Sequence, residues 1–216
     1  MSDKVKTGAE MWDQRFSGET YAYGKQANVW LAEQLAEITP CENNRALFPG
    51  DGEGRNAVWA ATLGWNAEVF DLSKVGGEKC KMLAEENSVS VEYQVKDLAE
   101  VELEEQSYDI VAFSWFHVPS AIRKQHFGKL LNCLKKGGHF ICEGYHTSQM
   151  QLTSGGPKSL DLLWNLDEIL EEWNPVDESG NSEFEIRHAA VASSVLEESA
   201  LHTGLARVVR IHLVKQ

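Results

Sequence analysis

Short apolar runs and segments with helical spacing alternate along the chain. Residues 26–38 place four apolar side chains on one helical face, and Pro40 ends this run because proline cannot continue a helix. The four are Trp30, Leu31, Leu35 and Ile38. The apolar run RALFPG that follows predicts a first strand, and RNAVWAATLG predicts a helix that Gly64 closes.

The same alternation continues through the middle of the chain. The run AEVFDLS predicts a second strand that ends at Asp71, and Ser73 is placed to cap a helix that extends to about Glu86. Three more strands are predicted at VSVEYQV, YDIVAFSWF and GGHFICEGY, with a helix from Pro119 to Leu134 before the last of them. Strands that alternate with helices in this way predict a parallel, doubly wound sheet.

The C-terminal part has a different pattern. Residues 183–195 and 206–215 alternate as β-strands do, and no long helix separates them, so they predict an antiparallel hairpin at the sheet edge. The predicted fold class is therefore α/β: a three-layer, Rossmann-like fold with a mostly parallel seven-stranded sheet and a C-terminal antiparallel hairpin. The acidic runs VELEE and LDEILEEW are predicted to be solvated helix faces.

Composition and charge narrow the classes of partner. The 216 residues are 43% hydrophobic, and we expect one domain, with an N-terminal segment of residues 1–40 and an α/β core of residues 41–216. A net charge of −13 argues against nucleic acid, because its binders need clustered basic residues. No apolar run approaches the roughly 20 residues of a membrane span and the N-terminus lacks a signal-peptide core, so we expect a cytoplasmic protein without a membrane partner.

The cysteines predict neither disulfides nor a metal centre. They form no C-x-x-C pair and have no close histidine at metal-ligand spacing, so we expect reduced thiols and no metal site. The four are Cys41, Cys80, Cys133 and Cys142. Small molecules or proteins are the better candidate partners, and the sequence leaves the oligomeric state open.

A glycine-rich stretch, LFPGDGEGRNAVWA, opens at the carboxyl end of the first strand, where open α/β sheets bind ligands. Gly50 permits a sharp turn, Gly52 a close approach of backbone to ligand, and Gly54 tight packing of the helix start. Asp71, 21 residues after Gly50, is placed to accept ribose hydroxyls, and Asp97 to accept from an adenine amine. These residues predict an adenosine site. The G-x-G-x-G spacing disfavours NAD, and an ordinary strand-to-helix turn is the alternative.

Four stretches resemble class I S-adenosylmethionine-dependent methyltransferases, in particular a small bacterial group related to tellurite-resistance and thiopurine-type enzymes. They are LFPGDGEGRNAVWAATLGWNAEVFDLS, VKDLAE, YDIVAFSWFHVP and TSGGPK, and the resemblance runs from about Trp12 to the last strand. It implies S-adenosylmethionine as cofactor, held by the glycine turn and by Asp71, with Asp97 and Leu98 at the adenine. One departure is Phe48, which stands where this family usually has an acidic residue.

The N-terminal segment is too aromatic for a solvated leader and predicts a lid over the cofactor. In it, Arg15 is placed to pair with the methionine carboxylate; the alternative is that the aromatics cap the core and Arg15 is a surface charge. Arg55 and Asn56 at the helix start are the other candidates for that end of the pocket. The predicted cofactor-binding residues are Arg15, Tyr23, Gly50, Asp51, Gly52, Arg55, Asn56, Asp71, Leu72, Asp97, Leu98 and Ser114.

The stretch SWFHVP follows the fourth strand, where class I enzymes place residues beside the transferred methyl. Within it His117 is predicted as a general base or orienting group, and the alternative is a histidine bonded to backbone. The stretch EGYHTSQ offers Glu143, Tyr145 and His146 on the other side, and LHTG adds His202. The predicted catalytic residues are His117, Tyr145 and His146.

The predicted function is methyl transfer from S-adenosylmethionine to a small-molecule acceptor. Chalcogen oxyanions, thiols and thiones suit a pocket with little acid–base machinery, whereas an amine would make more use of His117 or Glu143. The alternative is a binding module for S-adenosylmethionine or S-adenosylhomocysteine that has lost turnover, which the phenylalanine at position 48 would explain.

Overall fold

The computed structural model describes residues 7–216; residues 1–6, which the sequence analysis assigns to the N-terminal segment, lie outside the described residues. One seven-stranded sheet has the strand order β3-β2-β1-β4-β5-β7-β6. The strands are β1 (Ala46–Pro49), β2 (Ala67–Asp71), β3 (Val91–Val95), β4 (Tyr108–Ser114), β5 (Leu134–Tyr145), β6 (Phe184–Ser199) and β7 (His202–Lys215). The first five are parallel, and β7 runs antiparallel to both β5 and β6, which confirms the predicted fold class.

Helices cover both faces of the sheet. They are α1 (Gly8–Phe16), α2 (Val29–Ala36), α3 (Arg55–Thr62), α4 (Lys74–Glu86), α5 (Ser120–His126), α6 (Gly128–Asn132) and α7 (Leu166–Trp173). Side-chain caps start several of them: Ser73 accepts from the amide of Gly76 at α4, as predicted, and Asn28 caps α2. Within residues 7–216, no helix combines the length and the apolar character needed to span a bilayer.

Two sequence predictions differ from the structure. The helix predicted from Pro119 to Leu134 is two short helices. Leu134 belongs to β5, because its backbone pairs with Tyr108 of β4 and its side chain is fully buried. The run VELEE is irregular rather than helical, since its Val101 is buried in the core and the Val101 carbonyl accepts from the Lys129 ammonium. The run LDEILEEW does form α7, but Ile169 and Trp173 are buried.

The carboxyl edge of the sheet brings four strand ends together. Tyr145, the last residue of β5, pairs with Val208 of antiparallel β7, so the turn between β6 and β7 extends past the ends of the parallel strands. The hairpin turn therefore lies on the same side of the sheet as the glycine-rich stretch that follows β1. This edge contains the candidate site.

Candidate active site

The glycine turn after β1 has the backbone that the sequence predicts. Gly50 and Gly52 have φ angles of 63° and 56°, in the left-handed region that favours glycine. A Cβ on Gly50 would overlap the ring of Phe116, and one on Gly52 would lie 2.8 Å from the ring of Phe16. The turn is therefore in close contact with two aromatic side chains, one from α1 and one from the segment after β4.

Asp71 lies next to this turn at the end of β2. Its carboxylate accepts from the amide of Gly52 at 3.0 Å and from the amide of Ser73 at 2.8 Å. Burial raises the pKa of Asp71, although these amides favour the ionised form. Each carboxylate oxygen has a second lone-pair direction, so the group retains the capacity to accept from two further donors such as vicinal hydroxyls.

An acidic residue is present in the turn, three positions later than the family pattern places it. Phe48 is fully buried in the core, whereas Asp51 accepts from the amides of Asn56 and Ala57 at 3.1 and 2.9 Å. The Asn56 side-chain amide donates to Asp51 and to the hydroxyl of Ser114, at 2.6 and 3.2 Å. Burial raises the pKa of Asp51 to about 6 despite these hydrogen bonds. Three of the predicted cofactor-binding residues, Asp51, Asn56 and Ser114, thus meet, and Asn56 bonds to the other two.

The two candidate arginines differ in their surroundings. Arg55 is buried and donates to the carbonyl of Tyr23 and to the carboxylate of Glu198, each at 3.0 Å, so it joins the N-terminal segment to the hairpin. Arg15 is exposed and donates to the hydroxyl of Tyr23 at 3.3 Å. The ring of Tyr23 lies edge-on to Phe16, with 6.3 Å between centroids, so Arg15 and Tyr23 lie close to the glycine turn.

The N-terminal segment is bonded to the glycine turn and α4. Asp13 accepts from the hydroxyl of Ser73 at 2.6 Å and from the amide of Val75 at 3.1 Å, and the Ser73 bond is the largest cause of its lowered pKa. Glu53, within the turn, accepts from the Ala22 amide and from the Lys79 ammonium. These contacts fix residues 13–23 over the ligand edge of the sheet.

Asp97 and Leu98, the predicted adenine contacts, and Leu72, another predicted cofactor residue, each contact other parts of the protein. Asp97 accepts from the amide of Ala99, Leu98 is buried, and Leu72 lies against Gly8 of α1. The sequence analysis did not select Tyr93, whose hydroxyl oxygen lies 3.0 Å from the carbonyl oxygens of Gly52 and of Ser73, which share its one proton. No motif marks it, because it occupies an ordinary alternating position of β3.

Beyond β4, Trp115 has a strained backbone. Its φ of 60° is unusual for a bulky side chain, and such outliers cluster at functional sites. The Trp115 indole N–H donates to Glu198 at 2.9 Å, and its ring stacks on Tyr145 with 4.4 Å between centroids.

The candidate Glu143, near the end of β5, is buried. Its carboxylate accepts from Arg210 and Asn28, and burial raises its pKa.

Both nitrogens of His117 are bonded to backbone. Nδ1 is 2.7 Å from the carbonyl oxygen of Leu162, and Nε2 accepts from the amide of Tyr145 at 3.0 Å. Burial lowers the pKa of His117 to about 4, so the ring is neutral with its proton on Nδ1. The geometry favours the alternative of a backbone-bonded histidine. His117 and Tyr145 are stacked, whereas His146 bonds to Ser148 within its own turn.

Glu198 and His202 form a pair; the sequence analysis named His202 as a further candidate but did not select Glu198. Nδ1 of His202 lies 3.0 Å from the carboxylate of Glu198, across the turn between β6 and β7. Burial alone would raise the pKa of Glu198, but the His202 bond and the Arg55 charge outweigh it and lower it to about 2. No motif marks Glu198 in the sequence. Across residues 7–216, no three His, Cys, Asp or Glu side chains are arranged to bind a metal ion.

Comparison with known families identifies the enzyme class. Residues 47–138, from β1 to the start of β5, match a family model described as a methyltransferase domain. Together with the fold, this match shows that the protein is a methyltransferase, and S-adenosylmethionine is its cofactor. A comparison with curated protein sequences finds no significant match.

Solved structures share the methyltransferase fold over nearly the whole chain. One, from work on the conversion of a disulfide bond into a thioacetal group during echinomycin biosynthesis, has a TM-score of 0.71 at 14% identity and covers 97% of this chain and 92% of its own. TehB from Haemophilus influenzae has a TM-score of 0.68 at 12% identity, covering 96% of this chain and 67% of its own. Magnesium protoporphyrin IX methyltransferase from Synechocystis PCC 6803, with bound S-adenosylhomocysteine, has a TM-score of 0.62 at 14% identity, covering 95% of this chain and 94% of its own.

Proposed function

We propose that this methyltransferase acts on a small-molecule acceptor that is enclosed at the carboxyl edge of the sheet. The observation that carries this proposal is the closure of that edge by two segments. Arg55 bonds both to the Tyr23 carbonyl and to Glu198, and the backbone of Gly24 is so close to the hairpin that a Cβ there would lie 2.6 Å from the Glu198 carbonyl. We infer that these contacts keep a folded macromolecule away from the carboxyl edge and that the acceptor is small.

The residues around the glycine turn fit S-adenosylmethionine, which supplies an electrophilic methyl group on a sulfonium sulfur. Asp71 is the proposed acceptor for the ribose hydroxyls, because its carboxylate is fixed by two amides and keeps free lone pairs. Arg15 and Tyr23 are the proposed contacts for the methionine carboxylate, and Asp97 and Leu98 for the adenine. In this role α1 acts as the lid.

The aromatic lining supports soft acceptors such as thiols, thiones and chalcogen oxyanions. Trp115, Tyr145 and Tyr23 surround the hairpin turn, and aromatic faces favour a cationic sulfonium and exclude water. Methyl transfer is an in-line displacement, so alignment in a dry pocket supplies much of the acceleration. The resemblance to tellurite-resistance and thiopurine-type enzymes supports the same acceptor classes.

Calorimetry followed by an acceptor screen tests the proposal. We expect S-adenosylmethionine and S-adenosylhomocysteine to bind and NAD not to bind, and we expect methyl transfer to tellurite, a thiol or a thione. Binding of S-adenosylhomocysteine without methylation of any acceptor would favour the second candidate, a binding module, to which the buried Phe48 points.

A further inference from the structure

We propose that His202 is the general base of this enzyme and that its acceptor is a thiol bound in the protonated form. Glu198 is the positioning residue that orients His202. This inference rests on the proposed function, and it narrows the acceptor from the soft classes to one that must lose a proton.

The Glu198 carboxylate defines the tautomer of His202. Nδ1 is 3.0 Å from a carboxylate oxygen, which can only accept, so Nδ1 carries a proton; in the neutral ring, Nε2 then presents its lone pair. Both side chains are less than one-tenth exposed, so water competes little for this bond. Glu198 itself accepts from Arg55 and Trp115, at 3.0 and 2.9 Å, which fixes its orientation.

Nε2 of His202 forms no hydrogen bond with any residue in the described part of the chain, in contrast to both nitrogens of His117. The ring is in contact with aromatic side chains on two sides: its centroid lies 4.7 Å from that of Tyr23 and 5.1 Å from that of Trp115. Of the two ring nitrogens of His202, Nδ1 is used by Glu198, and Nε2 remains available to a substrate placed between these aromatic side chains.

A second, independent observation indicates a ligand at this point. The hydroxyl of Tyr145, whose side chain is 1% exposed, has no hydrogen-bond partner among residues 7–216. A Cβ on Gly155 would lie 2.8 Å from this hydroxyl and 3.0 Å from Cδ2 of His202, the carbon bonded to Nε2. The unpartnered hydroxyl and the His202 ring therefore both lie against the backbone of Gly155, where a side chain would collide with them. Buried hydroxyls are rarely left without a partner, so a bound acceptor is the expected one.

Charged groups on two elements lie near His202. Glu198 on β6 is ionised, so an imidazolium that forms on proton uptake has a buried anionic partner. Arg55 from α3 donates to the same carboxylate, and its positive charge opposes the imidazolium. Tyr23, Tyr145 and His117 are the other titratable groups near the ring, and all three are neutral at pH 7.

The proposed step transfers one methyl group and one proton. The thiol S–H bond breaks, and its electron pair forms the new bond from sulfur to the methyl carbon. The bond from that carbon to the sulfonium sulfur breaks and leaves its pair there, and the proton moves to Nε2 of His202 and then to water. A free thiol has a pKa of about 8.5, which a histidine can match, whereas alcohols are far weaker acids.

Two thiols separate this role from a structural one. 2-Mercaptoethanol is largely protonated at neutral pH, whereas 4-nitrobenzenethiol is already ionised and needs no base. We expect His202→Asn to lower kcat for 2-mercaptoethanol by about 100-fold and to change kcat for 4-nitrobenzenethiol by less than about threefold. Its affinity for S-adenosylhomocysteine should stay unchanged. His126→Asn, at the end of α5, is the matched control and should alter neither rate.

The outcomes distinguish the two proposals. Equal losses with both thiols, or no loss, would overturn the base role of His202. If the wild type methylates tellurite or a thione but neither thiol, the proposed function stands and this inference fails; if it methylates nothing, both fail.

A tautomer measurement on the protein without ligands supplies a readout other than activity. In ¹⁵N-histidine-labelled protein at neutral pH, we expect His202 to be protonated on Nδ1. Glu198→Gln should increase the Nε2-protonated fraction and lower kcat for 2-mercaptoethanol more than for 4-nitrobenzenethiol. A His202 ring protonated on Nε2 in the wild type would overturn the proposal.

Discussion

The ring of Phe16 lies directly against Gly52, so that a Cβ on this glycine would be 2.8 Å from the ring's Cζ atom. The helix that carries Phe16 is held by the bonds from Ser73 and Val75 to Asp13. Any change in the shape of the glycine turn therefore also affects the docking of α1.

Gly52→Ala should weaken cofactor binding strongly. Alanine at a φ of 56° costs about 1–2 kcal/mol, and its methyl group would push Phe16 away from the turn. Gly137→Ala is the matched control: its φ is 78°, but nothing lies within 4 Å of the added carbon, so it introduces the strain without the collision. We expect calorimetry to show at least a tenfold loss of S-adenosylhomocysteine affinity for Gly52→Ala only. Equal affinities in the two variants would contradict the close-contact role.

Asp71→Asn should weaken S-adenosylhomocysteine binding by about 1.5–3 kcal/mol, the range for a hydrogen bond to a charged group. Asparagine also turns an NH₂ group toward one of the two amides that now donate to the carboxylate. Asp177→Asn is the control, because Asp177 likewise accepts from two backbone amides, of Ser179 and Asn181, but in an exposed turn. A similar small change in both variants would remove Asp71 from the cofactor site.

Local patterns predicted the sheet and the glycine turn because each is encoded over a few neighbouring residues. The alternation of apolar and polar residues predicted the strands. The G-x-G-x-G spacing and Asp71 predicted two parts of one site, and the structure places the Gly52 amide 3.0 Å from the Asp71 carboxylate. The helix boundary near Leu134 failed because pairing with Tyr108, a long-range contact, decides it.

The acceptor side was harder to predict for the same reason. Glu198 and Arg55 are 143 positions apart, and only the antiparallel course of the final hairpin brings them to 3.0 Å. His117 was selected for its position after β4, but its role depends on the Leu162 carbonyl, which comes from a short 3₁₀ helix 45 positions later. Partners supplied by another part of the chain leave no periodic signal.

Stability should depend on pH through His212 of β7. Its nitrogens lie 2.9 Å from the Gln34 side-chain oxygen and 2.8 Å from a nitrogen of His139, and burial, with the charges of His139 and Arg187, lowers its pKa to about 4. Because the folded pKa lies below the usual value of about 6.5, the unfolded chain takes up the proton first. The stabilisation by neutral His212 is complete above about pH 6.5 and is lost as the pH falls toward 4.

Urea unfolding of wild type and His212→Gln at pH 7.5 and pH 5 measures this effect. The difference in unfolding free energy between the two proteins should shrink by about 1–2 kcal/mol at the lower pH. Asp51, whose raised pKa acts in the opposite direction, is present in both proteins and cancels. A difference that stays constant between the two pH values would show that His212 does not titrate in this range.

His117→Asn should reduce stability without removing the catalytic base. The ring bonds the Leu162 carbonyl and the Tyr145 amide, so its loss leaves two backbone groups unpaired, at about 1–3 kcal/mol each. We expect kcat for 2-mercaptoethanol to change by less than about threefold in His117→Asn and to fall by about 100-fold in His202→Asn, because only Nε2 of His202 is free to take the thiol proton. Urea unfolding and kcat, measured for both variants, separate the two histidines. If kcat falls by about 100-fold in His117→Asn while its unfolding free energy stays at the wild-type value, the general base is His117 and the backbone contacts of its ring are secondary.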